Sequence, residues 1–467
     1  MLLLLSPSFP KLIILLLLLF SLNFISSISA TTMDKFEKEA LFSIMDSMSP
    51  DRHWRSYSNQ DPCNPSSSWP GLECKPGLDN HFHVTKLVFG THPNPTCRSS
   101  ATFPSQIFTL PFLQSIHFLN CFKTRKTTLV LPHSNFSSLQ QLSLRANSAL
   151  IGPIPPHIFS LESLQILTLS QNNLQGEIPE TISALSSLIH LDLSYNALTG
   201  KIPAQMGKLS SLVDLDLSYN SLIGPIPTSI GEMVMLQKLD LSSNSLTGSI
   251  PLSIQNLKLL LFLALSDNRL SGYPKPPNGL TNLQSLQYLF MDGNPMFVPL
   301  PPELGRLRRL QELKLANSGY SGRIPGSFTW LKNLTALSLE NNHLSGEIPP
   351  GLGGLSRIYH LNLSRNLLDG VVPFNAEFLS RLGRNLDLSG NSGLCFNGSS
   401  NVFRESFDGV GVCESRPSSS SSTSNVFQPL ESSSVASSSS SYHSTQILHW
   451  VLGFLSFSAI YLCICLI

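Results

Sequence analysis

The sequence has 467 residues, with 30 lysines and arginines against 29 acidic residues and a formal net charge of +1. That balance excludes a broad electrostatic attraction for nucleic acid or anionic lipid, so any partner must be read locally. The length suggests several domains, but that prior fails for a repeat protein, which grows without enlarging its core.

Residues 1–30 carry Lys11, an apolar run from Leu12 to Phe20, and the small-residue stretch Ser26-Ser27-Ile28-Ser29-Ala30. This pattern predicts a signal peptide cleaved near Ala30, since the apolar run is short and polar chain follows at once. Residues 31–84 are expected to form an N-terminal cap. Between Met33 and Met48, the apolar residues Phe36, Ala40, Leu41, Ile44, Met45 and Met48 recur at helical spacing, and Asp34 is placed to cap the start. Asp61-Pro62-Cys63 and Trp69-Pro70-Gly71-Leu72-Glu73-Cys74 follow.

Residues 85–391 are self-similar. The segments 167–179, 191–203, 215–227 and 239–251 align at a period of 24 on the pattern L-x-x-L-x-L-x-x-N-x-L-x-G-x-I-P. This is the wording of a leucine-rich repeat, in which each unit is a short strand plus a return segment. The fold class expected is therefore an α/β repeat solenoid of about twelve units with capped ends, because one unit buries too little apolar surface alone. Each asparagine is expected to turn inward and satisfy backbone groups where the chain leaves the strand. The rungs are Asn147, Asn172, Asn196, Asn220, Asn244, Asn268, Asn294, Asn342, Asn366 and Asn391, with Cys121 and Ser318 standing in for two others. The alternating leucines point to the core and the residues between them form an open concave face. In the Gly-x-Ile-Pro element, as at Gly200, Ile202 and Pro203, glycine turns the backbone and isoleucine is buried.

Residues 392–415 are expected to cap the C-terminal end, and residues 416–446 form a serine-rich stalk, too poor in apolar residues to bury a core. Residues 447–467 are hydrophobic, with small residues upstream around Ser434 to Ser438, which favours a glycosylphosphatidylinositol (GPI) signal over a single transmembrane helix. Six cysteines lie in the secreted part as close pairs, Cys63 with Cys74, Cys97 with Cys121, and Cys395 with Cys413. An oxidising compartment favours disulfides there; pairing between neighbours is assumed, since six cysteines permit other connectivities.

No glycine-rich phosphate loop, His-Glu-x-x-His helix or Gly-x-Ser-x-Gly elbow occurs, so no catalytic site or cofactor is expected. His81 and His83 lack a third metal ligand and are read as solvated loop residues. Sequons stand at Asn135, Asn333, Asn362 and Asn397, and Asn362 falls on the concave face, where a glycan would block contacts. Two concave clusters are candidate ligand-binding surfaces. Asp192, Asp216 and Asp240 repeat at one strand position, flanked by Asp214, Lys238, Tyr195 and Tyr219, and like charges about 5 Å apart repel unless a basic partner relieves them. The competing reading is that Leu-Asp-Leu-Ser is common wording of the repeat. Phe262, Tyr288 and Phe290 occupy outward positions where polar residues are the default, which marks either an interface or packing against the irregular segment Tyr273 to Gly279. There Pro274-Lys275-Pro276-Pro277 replaces the Ile-Pro element and the rung spacing from Asn268 to Asn294 stretches to 26.

The repeats, the Trp-x-Gly-x-x-Cys cap and the Ile-Pro element together resemble the plant extracellular leucine-rich-repeat receptors over about residues 33–415. The resemblance implies a right-handed superhelix with a second short sheet near the Leu-x-Gly segments. Without a kinase, the chain looks like a receptor-like protein, and the segment Leu315 to Gly322 is similar to the subgroup of Too Many Mouths and the Piriformospora indica-insensitive proteins. The function implied is a protein on the outer face of the plasma membrane, active in development or plant–microbe signalling. It would bind a peptide or protein ligand, or a receptor-kinase ectodomain, through its concave face. The rival is a secreted cell-wall inhibitor of microbial polysaccharide-degrading enzymes.

Overall fold

A computed structural model describes residues 32–57, 60–64, 69–131, 138–273, 277–397 and 410–413. The signal peptide, stalk, hydrophobic tail and Asn135 lie outside these residues, as do residues 274–276 of the proline-rich segment. All described residues belong to one compact unit ending at Cys413.

Three-residue strands such as His190–Asp192, Asp214–Asp216 and Lys238–Asp240 pair in parallel, one per repeat, within a continuous 15-stranded sheet whose one antiparallel pair, Leu72–Pro76 on His81–Phe89, lies in the N-terminal cap. From Leu142 onward leucine meets leucine at each register step, as Leu191↔Leu215↔Leu239↔Leu263. These leucines are at most 1% exposed, while their strand neighbours are half-buried on the concave side. Period-two alternation thus generates both the core and an open face. The chain returns mostly through five-residue 3-10 turns opened by the proline of the Ile-Pro element, as Ala204–Lys208 after Pro203. Ile202, Ile226 and Ile250 are buried beneath these turns, and Gly200 has φ +76°.

The asparagines form the ladder the repeat implies. Asn220 accepts at Oδ1 from the Leu198 amide of the preceding repeat (3.0 Å) and donates through Nδ2 to the carbonyls of Leu193 and Leu217 (3.0 and 3.1 Å). Ser318 keeps part of the pattern, donating to the Ala316 carbonyl. At the first rung Cys121 is joined to Cys97, and its amide donates to Asn147.

Both ends are closed by cap structure. The helix Lys35–Met48 starts at Asp34, whose carboxylate accepts from the Phe36 and Glu37 amides, and it buries Leu41, Ile44, Met45 and Met48. Phe36, counted among its apolar positions, is 87% exposed. Cys63 pairs with Cys74. At the other end the last return segment is the α-helix Ala376–Leu382, capped by Asn375, where the other repeats have a 3-10 turn. The strands Gly393–Phe396 and Gly411–Val412 extend the second sheet, and Cys395 pairs with Cys413.

One reading is overturned. His83 is no solvated loop residue: it lies in the strand His81–Phe89, is 4% exposed, and bridges Glu37 (Nδ1 to Oε1, 2.6 Å) and Asp79 (Nε2 to Oδ1, 3.0 Å). Alternation along the strand turns its ring inward beneath the cap helix, where a partnered imidazole is tolerated and a lone one is not.

Candidate recognition surface

The concave face presents two side chains per strand, and the register fixes their neighbours. Asp192, Asp216 and Asp240 stand in line across three adjacent strands. Each carboxylate accepts from the backbone amide two residues on, Ser194, Ser218 and Ser242, at 3.0, 3.1 and 3.0 Å. The Ser194 and Ser218 hydroxyls add bonds of 2.6 Å. These aspartates therefore close the turn after the strand, which explains the Leu-Asp-Leu-Ser wording. Asn362 and Asp387 make the same bond to Ser364 and Ser389. Lys238 partly neutralises the row, 2.9 Å from Asp216 and 3.6 Å from Asp214. Burial, and then the Asp216 charge, push Asp240 up to about 6. Burial and Asp216 also raise Asp192.

The next strands carry the aromatic trio. Phe262 stands opposite Tyr288, and Ala264 opposite Phe290. The small Ala264 leaves room for the Phe290 ring, which meets Phe262 edge-on at 5.4 Å between centroids. Tyr288 lies 6.1 Å from Phe262 and 6.3 Å from Phe290. All three rings are half-buried, Lys314 Nζ sits 4.4 Å from the Phe290 centroid, and the Tyr288 hydroxyl donates to Gln311. The trio is thus a contiguous platform on the open face. Its rings pack on one another, whereas Tyr273 of the irregular segment pairs with buried Tyr320 (hydroxyl to hydroxyl, 2.7 Å).

One feature escaped the sequence reading. Tyr195 and Tyr219 stack at 4.1 Å and 10° between planes, although both are over 40% exposed. They occupy the position before the ladder asparagine, where the backbone is left-handed in repeat after repeat: Gln171, Tyr195, Tyr219, Ser243, Asp267, Asn317, Asn341 and Arg365 all have φ between +52° and +58°. Glycine at two of these positions, Gly293 and Gly390, was the available signal.

Of the sequons, Asn362 is half-buried on the concave face with its carboxamide oxygen held by Ser364, Asn333 bonds Arg308 and Arg357, and Asn397 is exposed. Among the described residues, no cluster of three or more His, Cys, Asp or Glu side chains could hold a metal ion.

The leucine-rich-repeat family models match residues 162–222, 235–257 and 333–355. Receptor like protein 29 of Arabidopsis thaliana is 59% identical over 145 residues, 31% of each chain. Protein Too Many Mouths is 37% identical over 28% of this chain and 26% of its own length. Piriformospora indica-insensitive protein 2 is 35% identical over 34% of this chain and 40% of its own, both proteins being from the same plant. The matched segments thus span between a quarter and two fifths of these relatives. Among solved structures, PEPR1–AtPEP1 is 31% identical with TM-score 0.66, covering 81% of this chain and 52% of that one. The plant peptide hormone receptor RGFR1 in complex with RGF2 is 31% identical with TM-score 0.55, covering 64% and 51%.

Proposed function

Because the chain is a plant leucine-rich-repeat receptor-like protein, we propose that it is a non-catalytic recognition subunit outside the cell, binding a peptide or protein ligand, or a receptor-kinase ectodomain, through its concave face. The observation that carries this reading is the platform of Phe262, Tyr288 and Phe290. Three half-exposed rings side by side on an open sheet gain both area and geometry when a partner covers them. The resemblance to RGFR1 with RGF2 supports a peptide as one class of partner.

Partners captured by proximity labelling at the cell surface supply the test. Alanine at Phe262, Tyr288 or Phe290 should weaken their binding, by about 2 kcal/mol at a true hot spot. The melting temperature should hold, because these rings lie outside the leucine core. Leu263→Ala and Leu289→Ala should instead cost about 2–5 kcal/mol of stability. Aromatic variants that melt as early as the leucine variants would make the rings packing residues.

The serine-rich stalk and hydrophobic segment 447–467 support attachment at the outer face of the plasma membrane through a GPI anchor, with a single transmembrane helix as the alternative. Among the described residues, no helix is long and apolar enough to cross a membrane. Phosphatidylinositol-specific phospholipase C should release the ectodomain from intact cells; retention, alongside release of a lipid-anchored control, favours a spanning helix.

A further inference from the structure

Although the whole chain is balanced, its charges are segregated. Between Asp79 and Glu162 there is no acidic residue, while Lys86, Arg98, Lys123, Arg125, Lys126 and Arg145 all fall in that stretch. The fold gathers part of this excess at one place. At the N-terminal end of the concave sheet lies an open cavity of about 530 Å³, lined by Glu73, Lys86, Asn94, His117, Ser143 and Arg145 among others. Lys86, His117 and Arg145 come from three successive strands, His81–Phe89, Ser115–Leu119 and Gln141–Arg145. The register sets Val88 beside His117, His117 beside Ser143, and Leu119 beside Arg145, so the three cross the face on a diagonal and share its outward side.

From this arrangement we propose that the cavity binds an oxyanion, a carboxylate or a sulfate ester, carried by an extended peptide. The proposal rests on the reading that the concave face takes a peptide.

Glu73 is the cavity's one carboxylate, and it is already paired with Lys86 at 2.8 Å. It fixes the ammonium at the cavity wall. Arg145 is exposed, and among the described residues no carboxylate lies within ion-pair distance of it, so one whole positive charge and its planar fork face the opening. His117 bonds the Ser115 hydroxyl at 2.8 Å, and burial followed by the nearby Lys86 charge favour its neutral form, which leaves it a hydrogen-bonding partner rather than a third cation.

The rest of the face decides between a peptide and an acidic polysaccharide. Beyond Thr168, Asp192 and Asp216 on the next two strands begin the carboxylate row, which repels a chain of repeating anions but not a single anionic group. Five strand steps of about 4.8 Å separate Arg145's strand from Phe262's, about 24 Å, which an extended peptide spans in about seven residues. One peptide can therefore place an anionic side chain in the cavity and an apolar one on the aromatic platform.

The test uses the full-length protein in detergent and fluorescent Gly/Ser peptides that carry one leucine and, seven residues away in either direction, Glu, sulfotyrosine or Gln. Acidic peptides should bind about tenfold more tightly than the Gln peptide, the scale of one charge-assisted hydrogen bond. Arg145→Gln and Lys86→Gln should abolish that ratio with unchanged melting temperature, and Lys86→Arg should keep it. The Glu and sulfotyrosine arms separate the two oxyanions. Phe290→Ala should weaken all the peptides alike and leave the ratio intact; a ratio that persists while the aromatic variants change nothing sinks the platform and spares the cavity. Equal binding of acidic and Gln peptides, or a ratio that survives Arg145→Gln with Lys86→Gln, overturns the proposal. Trigalacturonate binding more tightly than either acidic peptide overturns it in favour of an acidic polysaccharide.

Discussion

At the scale of single residues, two polar side chains per repeat do different work with similar chemistry. The ladder asparagine needs both an acceptor and a donor, because it serves an amide in one repeat and carbonyls in two. Leaving even one such buried group unpaired costs about 1–3 kcal/mol, so an aspartate, which only accepts, cannot replace it. The strand aspartates need only accept, and Asn362 shows that an amide oxygen serves as well. The ladder was legible because its physical demand singles out one residue type at one spacing. The aspartates were not: the sequence shows the charge, but the bond to the amide two residues on depends on a turn whose geometry becomes visible only in three dimensions. The same holds for the stacked pair Tyr195 and Tyr219, since large side chains in left-handed backbone go against their local preference and are held there by the repeat.

At the scale of elements, the N-terminal cap carries a buried ionic contact that makes its stability depend on pH. His83 joins the helix Lys35–Met48, through Glu37, to the strand His81–Phe89, and the Val84 amide donates to the other Glu37 oxygen at 3.0 Å. Burial disfavours the imidazolium, but the bonds and charges of Glu37 and Asp79 outweigh it, so His83 is raised above its ordinary value. A raised folded pKa means that the stabilisation is fully present below the unfolded value of about 6.5 and is lost as pH climbs through the folded value. Asp79 is lowered by the same contact, so its share is present above the ordinary carboxylate range and fades only in acid. Between these limits the cap is held most firmly. The melting temperature should accordingly fall as pH rises from about 6 toward 8.5, and His83→Gln should flatten that slope. A wild-type slope unchanged by the substitution would place the pH dependence elsewhere. The sequence showed the helix, its Asp34 cap and the cysteines, yet placed His83 in solvent, because only the packing of helix on strand reveals the carboxylate above the ring.

At the scale of the whole molecule, the concave sheet is unbroken but the return side is not. Short strands pair from Ile151–Gly152 through Ala197–Thr199, from Ile223–Pro225 through Arg269–Leu270, and again from Ser321–Gly322 onward. The bridge Lys201↔Ile223 joins the first two runs, whereas between Leu270 and the bridge Pro299↔Ser321 no strand pairing occurs among the described residues. This gap coincides with the stretched spacing between Asn268 and Asn294, and with Phe297, left-handed and 71% exposed. What spans the gap is the rung Asn294, accepting from the Leu270 amide at 3.0 Å, and the pair Tyr273 with Tyr320. On the other side of the same repeat, Tyr288–Phe290 is bonded to strands on both flanks. Stability in a solenoid is close to a sum of neighbouring interfaces, so local opening should concentrate where one interface has lost a sheet. Hydrogen exchange should therefore be faster at residues 296–298 than at the equivalent return strand Ser245–Gly248, while Tyr288–Phe290 stays protected. Tyr320→Phe, which removes the hydrogen bond to the half-buried Tyr273 hydroxyl, should speed exchange across the gap and leave Ser245–Gly248 unchanged. Equal protection of the two return segments would show that the asparagine ladder alone holds neighbouring repeats together and that the second sheet contributes little to the interface.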